Sequence, residues 1–360
     1  MDASLPGWEA RARATLREDV WAYLAAGAGE ERTVAANIEA WRSVELRPRV
    51  LRDVSSIELG TAFLGEPARL PIGVAPTGRH LLVHPGGEAA TADGAARAGA
   101  PFILSYFSTQ PLEQVARTAP PGIRWLQLPL GLERAHQHDM IARAEAAGFQ
   151  AIVITVDQPV GGFSPRAARR PVAVPDDMQH PHVPGSPRAV IAFDPSFNAV
   201  NALILDRTMD DMAALASQSG LPIVVKGVLR GDDALDCLAA GAAALIVSNH
   251  GGRHLDGAVS SGRALREVAG AVAGRAEVYV DGGIRWGTDV LRALALGADG
   301  VFLGRPPLWG LAVGGADGVV SVIEQLGAEL RTAMGLCGTP RLSDLSADIL
   351  DLLERPRNLR

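Results

Sequence analysis

Short, uniformly apolar runs alternate along the chain with Ala-rich amphipathic segments, and a glycine stands at most of the junctions. Gly99 precedes the run 102–104, Gly148 precedes 151–156 and Gly220 precedes 223–225; Gly241, Gly274 and Gly297 precede 245–247, 278–280 and 301–303. Glycine takes the left-handed conformation that closes a helix without a Cβ penalty, so each junction reads as a helix stop followed by a strand. The runs lack polar alternation, as strands buried on both faces of a parallel sheet do. Two more runs, 71–75 and 125–128, bring the count to eight. Eight right-handed strand–helix units close a TIM (β/α)8 barrel of the α/β class. An open doubly wound sheet is the competing architecture, but it would carry a GxGxxG loop after the first strand, where this chain has Pro76-Thr77-Gly78.

Two regions fall outside the repeat. Residues 1–70 read as a helical extension, with helices near 8–24 and 33–41 and a basic stretch Arg47-Pro48-Arg49; it is expected to cover the bottom or side of the barrel. Trp8, Trp21 and Trp41 read as helix-packing residues there, and Met209 and Met212 as core. Residues 159–205 form a long Pro- and Arg-rich insertion after strand four, on the face where barrel active sites lie, and read as a lid loop. The whole chain, 1–360, reads as a single domain.

Composition narrows the class. Of 360 residues, 48% are hydrophobic and 21% charged, and the net charge is −6. No long Lys/Arg run is present, which argues against nucleic acid as a partner. Two cysteines, Cys237 and Cys337, make no disulfide framework and fit a reducing cytoplasm. The charged segment 9–19 holds no signal-peptide core, and no uninterrupted apolar run reaches the roughly 20 residues of a membrane span. No metal site is expected; His136 with His138 and His180 with His182 have metal-like spacing but no third ligand, and read as solvent-exposed.

In this fold the chemistry sits at the C-terminal strand ends. Strand one delivers Ala75-Pro76-Thr77-Gly78, strand two Ser105, strand three Gln127, and strand four Thr155 and Asp157. Strand five delivers Lys226, strand six Ser248-Asn249-His250-Gly251-Gly252-Arg253, strand seven Asp281-Gly282-Gly283-Ile284-Arg285 and strand eight Gly304-Arg305. Two adjacent Gly/Arg turns after strands seven and eight fit a phosphate site, against the plainer reading of ordinary tight turns. His250 fits a base beside an anion-binding arginine, against a satisfied structural histidine. Lys226 ends an apolar strand and needs a partner, either an acidic residue at a neighbouring strand end or an electron-rich cofactor edge.

These segments together resemble the FMN-dependent 2-hydroxy-acid oxidases and dehydrogenases, among them glycolate oxidase, lactate oxidase, mandelate dehydrogenase and 4-hydroxymandelate oxidase. The similarity runs through the strand-six and strand-seven segments, then Leu255-Asp256-Gly257, Gly287-Thr288-Asp289-Val290 and Gly304-Arg305-Pro306. It also covers Pro222 to Gly227, Thr155-Val156-Asp157, His84-Pro85-Gly86-Gly87-Glu88, and Tyr23 with Gly27-Ala28. The resemblance implies FMN as cofactor, and His250 as the base while a hydride or electron pair passes to flavin N5. Asp157 would stabilise His250 as imidazolium, Arg253 would bind the substrate carboxylate and Tyr23 would face the substrate. Lys226 would sit at flavin N1 and O2. Ser105, Gln127, Thr155 and the backbone at Ala75 and Pro76 would bond the ring, with Thr77, Ser248, Asp281 and Gly282 at the same site. Gly283, Arg285, Gly304 and Arg305 would hold the phosphate. It also implies a homo-oligomer, with a tetramer as the family habit.

The chain departs from the family pattern where substrate is recognised. The family usually has Gln-Leu-Tyr at the end of strand three, and here the run is Gln127-Leu128-Pro129. Ser164 stands where the family places a second carboxylate-binding arginine, with Arg166 nearby as a candidate substitute. His254 replaces the usual Gln, and Gly78 falls where typical oxidases carry Ala. These changes suggest a substrate other than plain glycolate or lactate: larger, aromatic, carrier- or peptide-linked, or an amine. The other classes weighed are a different phosphate-binding barrel enzyme and a non-catalytic flavoprotein. Neither accounts for the His250, Arg253, Asp157 and Lys226 set.

Overall fold

Uniformly buried apolar runs become the staves of a closed barrel in the computed structural model, which describes residues 4–175, 177–185 and 206–351. In chain order the strands are β1 (Glu45–Leu46), β2 (Thr61–Phe63), β3 (Glu66–Ala68), β4 (Ile72–Val74), β5 (Phe102–Ser105) and β6 (Arg124–Pro129). Then follow β7 (Ala151–Thr155), β8 (Ile223–Val228), β9 (Ala244–Val247), β10 (Glu277–Asp281), β11 (Gly300–Leu303) and β12 (Leu350–Asp351). Strands β4 to β11 pair in parallel and close in sequence order, β11 meeting β4, which is the expected (β/α)8 barrel. Gly99, Gly148, Gly241, Gly274 and Gly297 all have positive φ, as the helix-stop reading requires. Gly220 is the exception, because its helix ends at an extended Ser219.

Aromatic residues fill the barrel interior. Trp125, Tyr279 and Phe302 pack with Phe63, whose ring stacks 5.1 Å from Tyr279. Phe63 comes from the β2–β3 hairpin and plugs the end of the barrel away from the strand C-termini; the Leu64 amide there donates to Glu277 at the start of β10. The hairpin is thus the part of residues 1–70 that covers the bottom.

The helices of the extension go elsewhere. The expected segment 8–24 divides into α1 (Leu5–Thr15) and α2 (Glu18–Ala25), and 33–41 becomes α3 (Arg32–Arg42). Helices α2 and α3 sit at the opposite rim, against the loops after β9 and β10: the Trp41 indole donates to Gly282 O at 2.8 Å, and Asn37 exchanges paired amide bonds with Asn249. Trp41 is fully buried, while Trp8 and Trp21 lie partly buried against the core. Met212 is core and Met209 is exposed.

The outer helices are α4 (Gly87–Ala98), α5 (Leu112–Thr118), α6 (Arg134–Ala146), α7 (Pro165–Arg169), α8 (Met209–Gln218), α9 (Gly231–Ala239), α10 (Ser261–Val272), α11 (Gly287–Ala295) and α12 (Arg305–Cys337). Helix α12, kinked at Gly314–Gly315, has the length and composition of a membrane span, but 67% of that window is buried inside the protein, where α12 packs against α1 and α4. Of the expected lid, 176 and 186–205 lie outside the described residues. Its first part is tied to the extension: Arg170 pairs with Glu18, the Ala173 amide donates to Asp19, and Gly29 N donates to Phe163 O. Its later part docks through His180 and His182, which are buried and not solvent-exposed as the spacing suggested.

Candidate active site

The strand C-termini and α2 line a cavity that opens to solvent. It is lined by Tyr23, Ala75, Pro76, Thr77, Ser105, Gln127, Thr155, Lys226, His250, Arg253, Asp281, Gly282, Gly283, Arg285, Gly304 and Arg305. Asp157 and Ser248, the other two residues expected at the site, stand just behind and bond to residues that line it.

His250 opens a tight turn after β9 in which three successive residues, His250, Gly251 and Gly252, have φ of 56°, 60° and 74°. That conformation is costly for a residue with a Cβ and persists only when its surroundings enforce it. Here Asn249 enforces it, since its Oδ1 accepts from Gly252 N while its Nδ2 donates to Asn37 and to Val259 O. The His250 amide donates to Ser248 Oγ. The His250 ring places Nδ1 at 3.0 Å from Asp157 Oδ1. A carboxylate can only accept, so Nδ1 carries the hydrogen and Nε2 of the neutral ring is left as the basic atom.

Asp157 reaches this position because β8 continues through Gly227, at φ +117°, where an added Cβ would meet the Asp157 Cβ at 2.6 Å. Burial alone would raise the Asp157 pKa, but the charges of His250 and Lys226 outweigh it and hold the carboxyl well below the ordinary range. Lys226 Nζ donates to Ser248 Oγ at 2.8 Å and lies 3.3 Å from Asp281 Oδ2. The acidic partner is therefore Asp281, which ends β10, one strand beyond the neighbouring β9. Burial works against the Lys226 ammonium, and Asp281 and Asp157 more than compensate, so its pKa is raised.

The other rim groups suit a flat heteroaromatic ring with a phosphate tail. Gln127 Oε1 accepts from Ser105 Oγ and from Tyr106 N, which leaves its amide NH2 as the donor it can present. Arg285 is held over the Trp309 ring, with its guanidinium carbon 4.9 Å from the centroid. Arg305 donates to Leu24 O, Ala26 O and Gly251 O. Burial first, then the neighbouring Arg253 and Arg285, bring the Arg305 pKa down to about 9. Such a concentration of half-buried positive charge fits a dianion. Asp281 Oδ1 is buried with no hydrogen-bond partner among the described residues, an acceptor suited to a polyol hydroxyl. Ring donors, an acceptor for a sugar-like chain and a cationic end together fit FMN. The glycines of the seventh loop have a further cause: an added Cβ at Gly283 would meet Asn37 O at 2.0 Å, so the packing of α3 also demands glycine there.

Arg253 Nη1 donates to the carbonyls of Tyr23, Leu24 and Ala26, and its guanidinium carbon lies 5.1 Å from the Tyr23 ring centroid. Arg166 does not complete a carboxylate clamp. It is held by Glu31, with Nε 2.7 Å from Oε1, outside the cavity lining. Ser164 caps α7 through Ala167 N. His254 meets His250 edge-on at 4.3 Å between centroids, and its pKa is well below the ordinary histidine value, chiefly through burial. Arg79, Phe107 and Gln158 also line the cavity and were missed in the sequence. The available signal was position: Arg79 follows Gly78 directly in the loop after the first barrel strand.

The comparisons agree with this geometry. The family model described as FMN-dependent dehydrogenase matches residues 12–352. An L-lactate oxidase from Nostoc sp. (strain PCC 7120) is 43% identical, covering 96% of this chain and 97% of its own. The human 2-hydroxyacid oxidase 1 is 38% identical, covering 92% of this chain and 91% of its own. The crystal structure of mandelate oxidase with (S)-2-phenylpropionate superposes with a TM-score of 0.87 at 38% identity, covering 98% of each chain. With the barrel, the histidine–aspartate pair and the arginine-rich rim in place, the chain belongs to the FMN-dependent dehydrogenase family.

Proposed function

We propose that the protein oxidises the α-carbon of a 2-hydroxy acid to the 2-oxo acid. The observation that carries this is the 3.0 Å His250–Asp157 contact in the same cavity as Arg253. The relatives are named as lactate, 2-hydroxyacid and mandelate oxidases, so an amine or carrier-linked substrate and a non-catalytic role are not favoured.

Bound FMN supplies the two-electron acceptor for the α-carbon. Tyr23 and Arg253 receive the carboxylate and orient the α-carbon. His250 Nε2 takes the hydroxyl proton, and Asp157 stabilises the resulting imidazolium across Nδ1. Lys226, with the ring-contacting Ser105, Gln127, Thr155, Ala75 and Pro76, would hold the isoalloxazine, and its charge favours added electron density beside it. Ser248 fixes Lys226, and Thr77, Asp281 and Gly282 complete the wall along the cofactor. Gly283, Arg285, Gly304 and Arg305 would hold the phosphate. We also place the protein in a reducing compartment, the cytoplasm, consistent with its two buried free thiols, and expect a homo-oligomer, a tetramer by resemblance.

The test is anaerobic mixing of the FMN-loaded protein with glycolate, lactate, mandelate and 4-hydroxymandelate. Bleaching of the flavin by at least one, lost in His250→Ala with FMN retained, supports the reading. Bound flavin untouched by all of them overturns it.

A further inference from the structure

A buried and a half-buried guanidinium group converge on one phenol. Arg79 Nη1 donates to the Tyr23 hydroxyl at 3.0 Å, and Arg253 packs over the same ring. Arg79 is 4% exposed, and its guanidinium carbon also lies 5.3 Å from the Phe107 centroid. All four residues line the cavity that holds His250. The Arg253 pKa is lowered, by burial first and also by the charge of Arg79, so the two cations stand near one another.

We propose that Arg79 is the second cation of the substrate carboxylate clamp, taking the place of the arginine missing at Ser164. This rests on the 2-hydroxy-acid reading above. It goes beyond that reading by assigning specificity to a residue of the first barrel loop.

Three further observations support it. Arg79 has φ +68°, and a residue with a Cβ in that conformation marks a loop that holds it for a purpose. The loop is built to hold it: His80 N donates to Glu88 Oε1, the His80 ring bonds Thr77 and Thr91, and Glu88 is itself fully buried and fixed by Thr109. Finally, the Tyr23 hydroxyl, which burial alone would make harder to ionise, has a lowered pKa because Arg79 first and Arg253 second stabilise its anion. The same pair would stabilise a carboxylate at that hydroxyl. A clamp moved from the insertion to a rigid turn is preorganised and needs no segment to close over it before the acid is held.

The experiment uses the FMN-loaded protein and its Arg79→Met, Arg79→Lys and Arg166→Met variants. Calorimetry measures the binding of glyoxylate, pyruvate and benzoylformate, and the tightest of these is then compared with its neutral amide. Arg79→Met is expected to raise the Kd of the 2-oxo acid by about 10–100-fold while changing that of the amide less than about threefold. Arg79→Lys recovers part of the loss, and Arg166→Met binds as the parent does. Unchanged carboxylate binding in Arg79→Met, equal weakening of acid and amide, or a loss in Arg166→Met instead would each overturn the assignment. If Arg79→Met does not retain FMN, Arg79→Lys and Arg79→Gln are read by the same acid-to-amide ratio. A parent protein that binds the 2-oxo acids and is bleached by a 2-hydroxy acid, with indifferent Arg79 variants, overturns only this inference. A parent that does neither overturns the function as well.

Discussion

His250 Nδ1 donates to Asp157 Oδ1 across 3.0 Å, and this contact fixes both the tautomer and the aim of the ring. Asp157→Asn keeps the shape but offers an amide that can donate to Nδ1, which favours the hydrogen on Nε2 and removes the base. We expect flavin reduction by substrate to slow by roughly 10²–10⁴-fold, as for triad carboxylates, with FMN content unchanged. Anaerobic stopped-flow at saturating substrate measures it. A loss of less than tenfold would mean that Asp157 does not orient His250.

Lys226 and Asp281 form a buried pair, 4% and 8% exposed at their side chains. Removing one member strands the other charge out of water, at about 3–5 kcal/mol. Lys226→Met should therefore lower stability by that amount in urea unfolding of the apo protein. The double variant Lys226→Met/Asp281→Leu should recover part of it, because Asp281 is no longer stranded while Asp157 still lacks the Lys226 charge. A double variant as unstable as the single would show that the loss does not come from stranding Asp281.

The barrel was legible in the sequence because its strands are buried on both faces and its helix stops are glycines, two signals that are local. Tyr23 of the extension, the His250 turn and the Arg285/Arg305 rim were legible because their residue types and order are distinctive. Other features depend on distant contacts. Nothing local says that α3 lies over the sixth loop, since that placement is written in the Asn37–Asn249 pair, 212 residues apart. Arg166 looked like a clamp residue by proximity in the chain, and its partner Glu31 is 135 residues away. The spacing of His180 and His182 carries no signal of burial, yet both reach back to Ser108. Nothing in the sequence singles out Arg79, since an arginine after a turn glycine is ordinary on a surface, and only the fold buries it.

Gly283 and Gly304, both expected at the phosphate, should behave oppositely. At Gly283 φ is +80° and a Cβ would lie 2.0 Å from Asn37 O, which is backbone and cannot rotate away. Gly283→Ala should displace α3 or the loop, cost about 3 kcal/mol or more, and lower FMN affinity. At Gly304 φ is −88° and the nearest atom to an added Cβ is Thr77 Cγ2 at 3.9 Å. Gly304→Ala should stay within about 1 kcal/mol of the parent. Thermal unfolding of the apo forms and FMN titration check both, and equal effects would show that the close approach of Asn37 does not govern the first.

Acid stability has a traceable source in His182. The ring is 1% exposed, and its Nε2 accepts from Leu112 N at 3.0 Å, so its hydrogen sits on Nδ1, facing Tyr106 O and Ser108 Oγ. A second proton would have to displace the Leu112 bond. Burial first, then the charge of Arg143, bring its pKa down to about 4 from the ordinary 6.5. The sign follows from linkage: between those values the unfolded chain binds a proton that the folded one refuses, so stability falls as pH drops. The loss is absent above about pH 6.5, accumulates at about 1.4 kcal/mol per pH unit, and reaches about 3 kcal/mol near pH 4. His80 and His254 are lowered as well, chiefly by burial, and add losses of the same sign. His182→Gln, whose side-chain oxygen can still accept from Leu112 N, should reduce the slope of unfolding free energy against pH by about one proton between pH 5 and 6, where most carboxyl groups are already ionised. Urea titrations at half-unit pH steps measure that slope, and an unchanged slope would mean that His182 is protonated in the folded protein.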